Sequence, residues 1–280
     1  MPVIRELIEH WRLEFAKVGV DSPRLTAELI VAHVLGEGRG ALTGMASREL
    51  TSVQAARIED LCARRMRREP LAYLIGSREF YGREFTVRPG VLIPRPETET
   101  IIDLARRLLP RGTGGFAADV GCGSGCLAVT LALEFPALRV IAFDLSPVAL
   151  ACTRENAAKH GVNRRVMFVR ADLLAPVASG LSLCVSNPPY VDPQDRASLQ
   201  PEVRDFEPPE ALFAQDRGLA VARRVIAQAG PLLKRGAPLL LEFGANQAEP
   251  LTAAAENAGF SSTHAEPDLT GLLRVLVAMA

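Results

Sequence analysis

From about residue 116 onward, short apolar runs alternate with segments of helical period. Strands are expected at Phe116–Val120, Arg139–Phe143, Val166–Val169, Leu181–Val185, Pro238–Glu242 and Arg274–Ala278, and helices near residues 125–135, 147–160, 218–234 and 246–258. Parallel strands need a crossover connection, usually helical, and a sheet of that kind has both faces covered. This half of the chain therefore predicts an α/β domain on a mostly parallel sheet. Hydrophobic residues are 48% of the 280, enough core for one large domain or two modest ones.

The first part of the chain reads differently. Ile4, Leu7, Ile8, Trp11, Phe15 and Val18 recur at helical spacing. Asp21-Ser22-Pro23 marks a helix start, with Pro23 at the first helical position, and that helix runs to about Gly36. Thr51 or Ser52 opens another, which ends near Pro70. Residues 1–75 thus predict a small helical bundle. Residues 76–100 predict a hairpin centred on Gly82 followed by a stiff, proline-bounded linker, and residues 101–280 the α/β domain.

Two strand ends carry the chemistry. Asp119-Val120-Gly121-Cys122-Gly123-Ser124-Gly125 closes the first of these strands and opens a helix. Glycines there let the main chain approach a ligand closely. The dinucleotide fingerprint wants glycine or alanine at the sixth position, where Cys126 stands, which disfavours a nicotinamide or flavin dehydrogenase. Asp144, about 20 residues on at the end of the next strand, is placed to bind the hydroxyls of a ribose. Asp172 follows the third strand, where it could accept from an adenine amine. No phosphate-binding lysine follows the glycine loop. A ribose and an adenine without a phosphate clamp point to S-adenosylmethionine, a preactivated methyl donor.

The second strand end is Asn187-Pro188-Pro189-Tyr190, after the apolar run Leu181–Val185. Two consecutive prolines remove two backbone donors and stiffen the chain. The carbonyls of Asn187 and Pro188, with the Asn187 side-chain oxygen, form a cradle of acceptors beside an aromatic ring. Such a cradle suits a planar NH2 group, either an amide or the exocyclic amine of a base.

Charge and cysteine content narrow the partners. The formal net charge is zero, which argues against a protein that binds mainly to a phosphate backbone. The tightest basic cluster, Arg64, Arg65, Arg67 and Arg68, reads as a solvated helix face, with a contact for RNA or an acidic partner as the alternative. The five scattered cysteines show no zinc-ligand spacing and suit a reducing cytosol. The first residues are interrupted by charge, unlike a signal peptide, and no apolar stretch reaches membrane-spanning length. The expected location is cytoplasmic.

Several stretches together resemble the glutamine N5-methyltransferases that modify peptide-chain release factors. They are Gly76-Ser77-Arg78-Glu79-Phe80-Tyr81-Gly82, Leu92-Ile93-Pro94-Arg95-Pro96-Glu97-Thr98-Glu99, the glycine loop, Ser186-Asn187-Pro188-Pro189-Tyr190, Glu207-Pro208 with Ala211-Leu212, Gly218-Leu219, and Leu241-Glu242-Phe243-Gly244 with Gln247. The likeness covers roughly residues 70–280. Asn-Pro-Pro-Tyr alone is shared with nucleic-acid amino-methyltransferases; together with the Ile93–Glu99 segment it is more specific.

The resemblance implies a class I S-adenosylmethionine-dependent methyltransferase: a Rossmann-like, mostly parallel seven-stranded sheet with a small N-terminal helical domain that helps recognise the protein substrate. It implies cofactor binding by Gly121, Cys122, Gly123, Ser124, Gly125, Asp144, Asp172, Leu173 and Asn187. It implies substrate binding by Asn187, Pro188, Pro189 and Tyr190, of which Asn187, Pro188 and Tyr190 would be catalytic, with no metal. The substrate would be the glutamine of a Gly-Gly-Gln motif in a release factor. No membrane partner and no stable nucleic-acid binding are expected. The alternatives are a sister enzyme acting on a ribosomal protein and, further off, a DNA or RNA amino-methyltransferase. A module that senses the cofactor without catalysis is disfavoured by the intact tetrapeptide. The chain departs from the family pattern at Leu181-Ser182, Leu173, Leu273 before Arg274, and Gln215-Asp216-Arg217, which replaces a glycine-containing turn.

Overall fold

The computed structural model describes residues 2–175 and 178–280. The chain forms two compact units, Met1–Ser77 with Gln200–Phe206, and Arg78–Leu199 with Glu207–Ala280.

The first unit holds α1 (Ile4–Lys17), α2 (Pro23–Leu35), α3 (Ser52–Met66) and the short α4 (Leu71–Ile75). Each starts or stops where the local chemistry directs. Thr51 caps α3 with a reciprocal pair: its hydroxyl accepts from the Gln54 N–H at 3.2 Å, and the Gln54 side chain accepts from the Thr51 N–H at 3.1 Å. Pro23 sits in the first turn of α2, and Gly36 closes that helix in the left-handed region. Ile4, Phe15, Ile30, Ile58 and Leu61 are fully buried between the helices.

One element of this unit lies far downstream in sequence: α8 (Pro201–Phe206). Its Glu202 corrects the reading of the arginine cluster. The guanidinium of Arg65, only 5% exposed, donates to Glu202 Oε1 at 2.8 Å and to the Glu69 carbonyl at 3.0 Å. Arg68 donates to Glu202 Oε2 at 2.7 Å and to the carbonyls of Val18 and Gly19. Arg64 forms a two-pronged pair with Glu69 at 2.9 and 2.5 Å. Three of the four arginines are thus neither a solvated face nor a free contact for RNA. Arg65 and Arg68 fasten α8 through Glu202, Arg64 fastens the α3 end through Glu69, and the buried Arg65 guanidinium needs its acceptors. Arg67 alone is exposed.

The second unit opens with a hairpin of β1 (Ser77–Phe80) and β2 (Arg83–Thr86), turned at Tyr81-Gly82 with both residues at positive φ. Then follow α5 (Glu99–Leu108), β3 (Gly115–Val120), α6 (Cys126–Glu134), β4 (Leu138–Asp144), α7 (Pro147–Lys159), β5 (Val166–Arg170) and β6 (Leu181–Ser186). After α9 (Pro209–Leu212) come α10 (Ala220–Ala229), β7 (Pro238–Glu242), α11 (Ala248–Asn257), β8 (Ser262–Pro267) and β9 (Leu273–Met279).

Seven strands form one sheet in the order β5-β4-β3-β6-β7-β9-β8. The pairs from β5 through β7 are parallel, and β9 is antiparallel to both its neighbours. Alternate residues serve the two faces: Ala117, Leu183 and Val185 pack with α5, α6 and α7, and Ala118, Cys184 and Leu241 pack with α10 and α11. Every residue of β6 and β7 is buried, as central strands covered on both sides require. The strand missing from the sequence reading is β8, Ser262–Pro267. It is an edge strand with no buried position, and its pairing with β9 alone defines it. Among the described residues no helix is long and apolar enough to cross a membrane, and no group of three or more His, Cys, Asp or Glu side chains could hold a metal ion.

Candidate active site

The strand order reverses at β3, which has β4 on one side and β6 on the other. The chain leaves the carboxyl ends of these strands in different directions, and a crevice opens there. Register makes the juxtaposition tight. Val120 of β3 is the partner of both Phe143 in β4 and Ser186 in β6, and the Ser186 hydroxyl donates to the Val120 carbonyl at 2.7 Å. The glycine loop, Asp144 and Asn187 therefore emerge side by side at the mouth of a cleft of about 240 Å³. Residues 90–98 and 208–224 supply its other walls.

The glycines of the loop do two different jobs. Gly121, Gly123 and Gly125 all have positive φ, at 76°, 55° and 79°. A Cβ on Gly121 or Gly123 would meet nothing within 4 Å, and both residues line the cleft with Cys122 and Ser124. A Cβ on Gly125 would lie 2.6 Å from Thr153 Cγ2, so that glycine lets the loop pack on α7 and is not part of the cleft wall. The N–H groups of Gly121 and Cys122 share the Phe143 carbonyl, each at 2.9 Å. Buried Asp119 accepts from the Ala128 N–H at 2.9 Å, tying α6 to β3, while its Oδ1 has no partner among the described residues. Burial pushes its pKa up to about 7.

Asp144 accepts from the Gly123 N–H at 3.0 Å through Oδ2 and from the Ser146 N–H at 2.9 Å through Oδ1. Burial raises its pKa, the backbone donors of Gly123 and Ser146 pull it down, and the Glu210 carboxylate adds to the rise. Each oxygen retains acceptor capacity for a hydroxyl donor. Asp172 also lines the cleft, half-exposed, and its Oδ2 accepts from Arg224 at 2.6 Å. Leu173 stands beside it at a positive φ of 58°. The donor set fits an adenosine-containing ligand: open glycine main chain, a carboxylate after β4, another after β5, and apolar walls from Leu92, Leu145 and Leu173.

Asn187, Pro188 and Pro189 line the same cleft. The Asn187 amide nitrogen donates to the Thr98 hydroxyl at 3.0 Å. Among the described residues, neither the Asn187 side-chain oxygen nor the carbonyls of Asn187 and Pro188 accept a hydrogen bond. Tyr190 is placed differently. Its ring packs on Gly244, where a Cβ would come within 3.0 Å of Cδ2, and it does not line the cleft. Burial pushes its phenol up to about 12. Its carbonyl is held by the Gln247 side chain at 2.9 Å.

Sequence reasoning left several participants without a role. Thr98 lines the cleft and donates to Glu242 at 2.6 Å; both are buried. Buried Glu207 accepts from the Ile93 N–H at 3.1 Å and from Arg95 at 2.5 Å, joining two walls of the cleft. Gln247 binds the Tyr190 and Arg217 carbonyls and accepts from the Gly244 N–H at 2.9 Å. All lie in the stretches that carried the resemblance, and charged residues at the end of a buried strand, such as Glu242, were the available signal.

Two family models match the chain: the PrmC N-terminal domain over residues 6–76 and the methyltransferase small domain over residues 100–202. A release factor glutamine methyltransferase of Koribacter versatilis is 42% identical over 258 residues, spanning 91% of this chain and 91% of its own. Two solved structures share the fold at low identity. The hMettl16 catalytic domain in complex with MAT2A 3'UTR hairpin 6 has a TM-score of 0.57 at 17% identity, covering 82% of each chain. The T. Thermophilus 16S rRNA N2 G1207 methyltransferase in complex with AdoMet and guanosine has a TM-score of 0.54 at 19% identity, covering 72% of this chain and 49% of that one.

Proposed function

The chain belongs to the release factor glutamine methyltransferase family, and from that premise we propose that it methylates the side-chain amide nitrogen, N5, of the glutamine in the Gly-Gly-Gln motif of a peptide-chain release factor. Its cofactor is S-adenosylmethionine, which when bound supplies a methyl group already activated on a sulfonium. Gly121 and Gly123 leave open space for it, Cys122 and Ser124 complete that stretch of the cleft wall, and Gly125 holds the loop's shape. Asp144 takes the ribose hydroxyls, and Asp172 with Leu173 takes the adenine edge and face.

The observation that carries the reading is the acceptor set at Asn187. Its NH2 is engaged by Thr98, which leaves its oxygen and the Pro188 carbonyl without partners at the cleft wall. An amide nitrogen is a weak nucleophile, since its lone pair is delocalised. Two fixed acceptors for its two N–H bonds set its orientation, and alignment of this kind supplies much of the rate when the donor is preactivated. The same acceptors strengthen as positive charge grows on the nitrogen. The methylated nitrogen is strongly acidic, so its surplus proton leaves without a strong base beside it. The Tyr190 ring lies outside the cleft wall, packed on Gly244, where it supports the loop that carries Asn187. The helical unit serves recognition of the protein substrate, and a translation-factor substrate implies cytoplasmic work.

The test is transfer of labelled methyl from S-adenosylmethionine to a purified release factor. A Gln→Ala factor serves as control, with ribosomes, total tRNA and DNA in parallel. Label on the wild-type factor alone is the expected result. Label on a ribosomal protein or on nucleic acid would move the cradle's substrate to that class.

A further inference from the structure

Behind Asn187 stands a chain of two hydrogen bonds. Asn187 Nδ2 donates to Thr98 Oγ1 at 3.0 Å, and the Thr98 hydroxyl donates to Glu242 Oε2 at 2.6 Å. The three groups come from three places in the fold: the loop after β6, the turn before α5, and the carboxyl end of β7. Thr98 and Glu242 are both buried, Thr98 at the cleft wall and Glu242 behind it.

A threonine hydroxyl has one hydrogen to give and two lone pairs to accept with, whereas an ionised carboxylate only accepts. The single hydrogen of Thr98 is therefore committed to Glu242. Toward Asn187 the hydroxyl can only accept, which draws the Asn187 NH2 to Thr98 and turns the Asn187 oxygen away. We infer that Thr98 and ionised Glu242 are positioning residues that select which end of the Asn187 amide faces the substrate. The inference rests on the reading that Asn187 accepts from the substrate glutamine.

The same logic carries a switch. A protonated Glu242 can donate to Thr98, which frees the Thr98 hydrogen for the Asn187 oxygen. The amide then presents NH2 toward the substrate NH2, donor against donor, and productive binding is lost. Burial pushes the Glu242 pKa up to about 7, the Thr98 hydrogen bond and Arg274 lower it, Glu97 raises it and Arg95 lowers it. Tyr190 and Cys126 also face this carboxylate, and both stay protonated there. Turnover therefore rises with pH through the neutral range and then levels.

The experiment measures kcat, KM for the release factor and cofactor affinity by calorimetry for Thr98→Val, Thr98→Ser, Glu242→Gln and Asn187→Ala, from pH 6 to pH 8.5 at saturating substrates. Thr98→Val keeps the shape and removes the acceptor, so kcat is expected to fall by about tenfold or more, the scale of one hydrogen bond. Cofactor affinity should stay within about twofold, and Thr98→Ser should restore kcat. Glu242→Gln should lose the pH-dependent rise in kcat. Full kcat in Thr98→Val, or an unchanged pH rise in Glu242→Gln, would overturn the inference. Should Thr98→Val fail to fold, the Glu242→Gln profile decides alone. Asn187→Ala separates the two levels: if it turns over normally the Asn187 reading fails, and if only Asn187→Ala is impaired the positioning inference fails by itself.

Discussion

Gln247 holds the main chain of Tyr190, its Nε2 donating to the Tyr190 carbonyl at 2.9 Å. The second hydrogen of the same NH2 goes to the Arg217 carbonyl at 3.0 Å, and Oε1 accepts from the Gly244 N–H. One buried side chain thus joins the tetrapeptide that follows β6, the turn before α10 and the loop after β7. Gln247→Leu removes the donor from the part-buried Tyr190 and Arg217 carbonyls and the acceptor from the Gly244 N–H, a net loss of about 1 kcal/mol per hydrogen bond. Turnover should fall by on the order of tenfold or more while cofactor affinity changes little. Steady-state kinetics beside calorimetric titration of the cofactor checks the split.

The two kinds of glycine in the loop should separate cleanly. Gly123→Ala places a methyl group in the open cleft, so it should weaken cofactor binding, with a folding cost of about 1–2 kcal/mol for its positive φ. Gly125→Ala drives a methyl into Thr153 and should lower the melting temperature well beyond that. Thermal unfolding and cofactor titration on both variants test this; equal losses of stability would contradict the division.

Asp144→Ala should raise the dissociation constant of the cofactor by about tenfold or more, because charge-assisted hydrogen bonds are worth roughly 1.5–3 kcal/mol. Asn187→Ala should instead lower kcat by on the order of 10² with cofactor binding retained. Calorimetry that shows the reverse pattern would exchange the two assignments.

Asp119 gives the protein a pH dependence of definite sign. Its folded pKa of about 7 lies above the unfolded value of about 4, so between these the native state keeps a proton that the unfolded chain releases. The stability this contributes is complete below about pH 4 and is lost as pH rises through 7, at roughly 1.4 kcal/mol per pH unit. Chemical denaturation at pH 5, 6 and 7 should show wild type losing stability relative to Asp119→Asn. Parallel curves would show that the carboxyl is ionised throughout.

Glu202→Ala should destabilise the helical unit by about 3 kcal/mol, since it leaves the buried Arg65 guanidinium without its counter-charge. Urea denaturation followed by far-ultraviolet circular dichroism reads this directly. A loss under about 0.5 kcal/mol would reduce the pair to an ordinary surface bridge.

What residue order alone determined is what depends on neighbours in sequence. The period of the apolar residues placed the longer helices and six of the seven strands of the large sheet, and it missed the short α4, α8 and α9. Thr51 and Pro23 marked helix starts by local capping chemistry, and the paired prolines after Asn187 announced a rigid loop of free acceptors. Backbone demands that conflict with residue type were not legible: Asp216 and Arg217 adopt positive φ in a turn without the usual glycine, under the constraint of Gln247 and Gly218. The edge strand β8 carries no apolar alternation, because pairing with β9 holds it in place of burial. Arg65 and Arg68 looked like surface charge because their acceptor lies 137 and 134 residues away. The same holds for the polar chain behind Asn187, where Thr98 is 89 residues from Asn187 and 144 from Glu242. A hydrogen bond is decided by distance in space, and only folding links these sequence-distant groups in two consecutive contacts, Asn187 to Thr98 at 3.0 Å and Thr98 to Glu242 at 2.6 Å; the tertiary structure therefore decided which way the Asn187 amide faces.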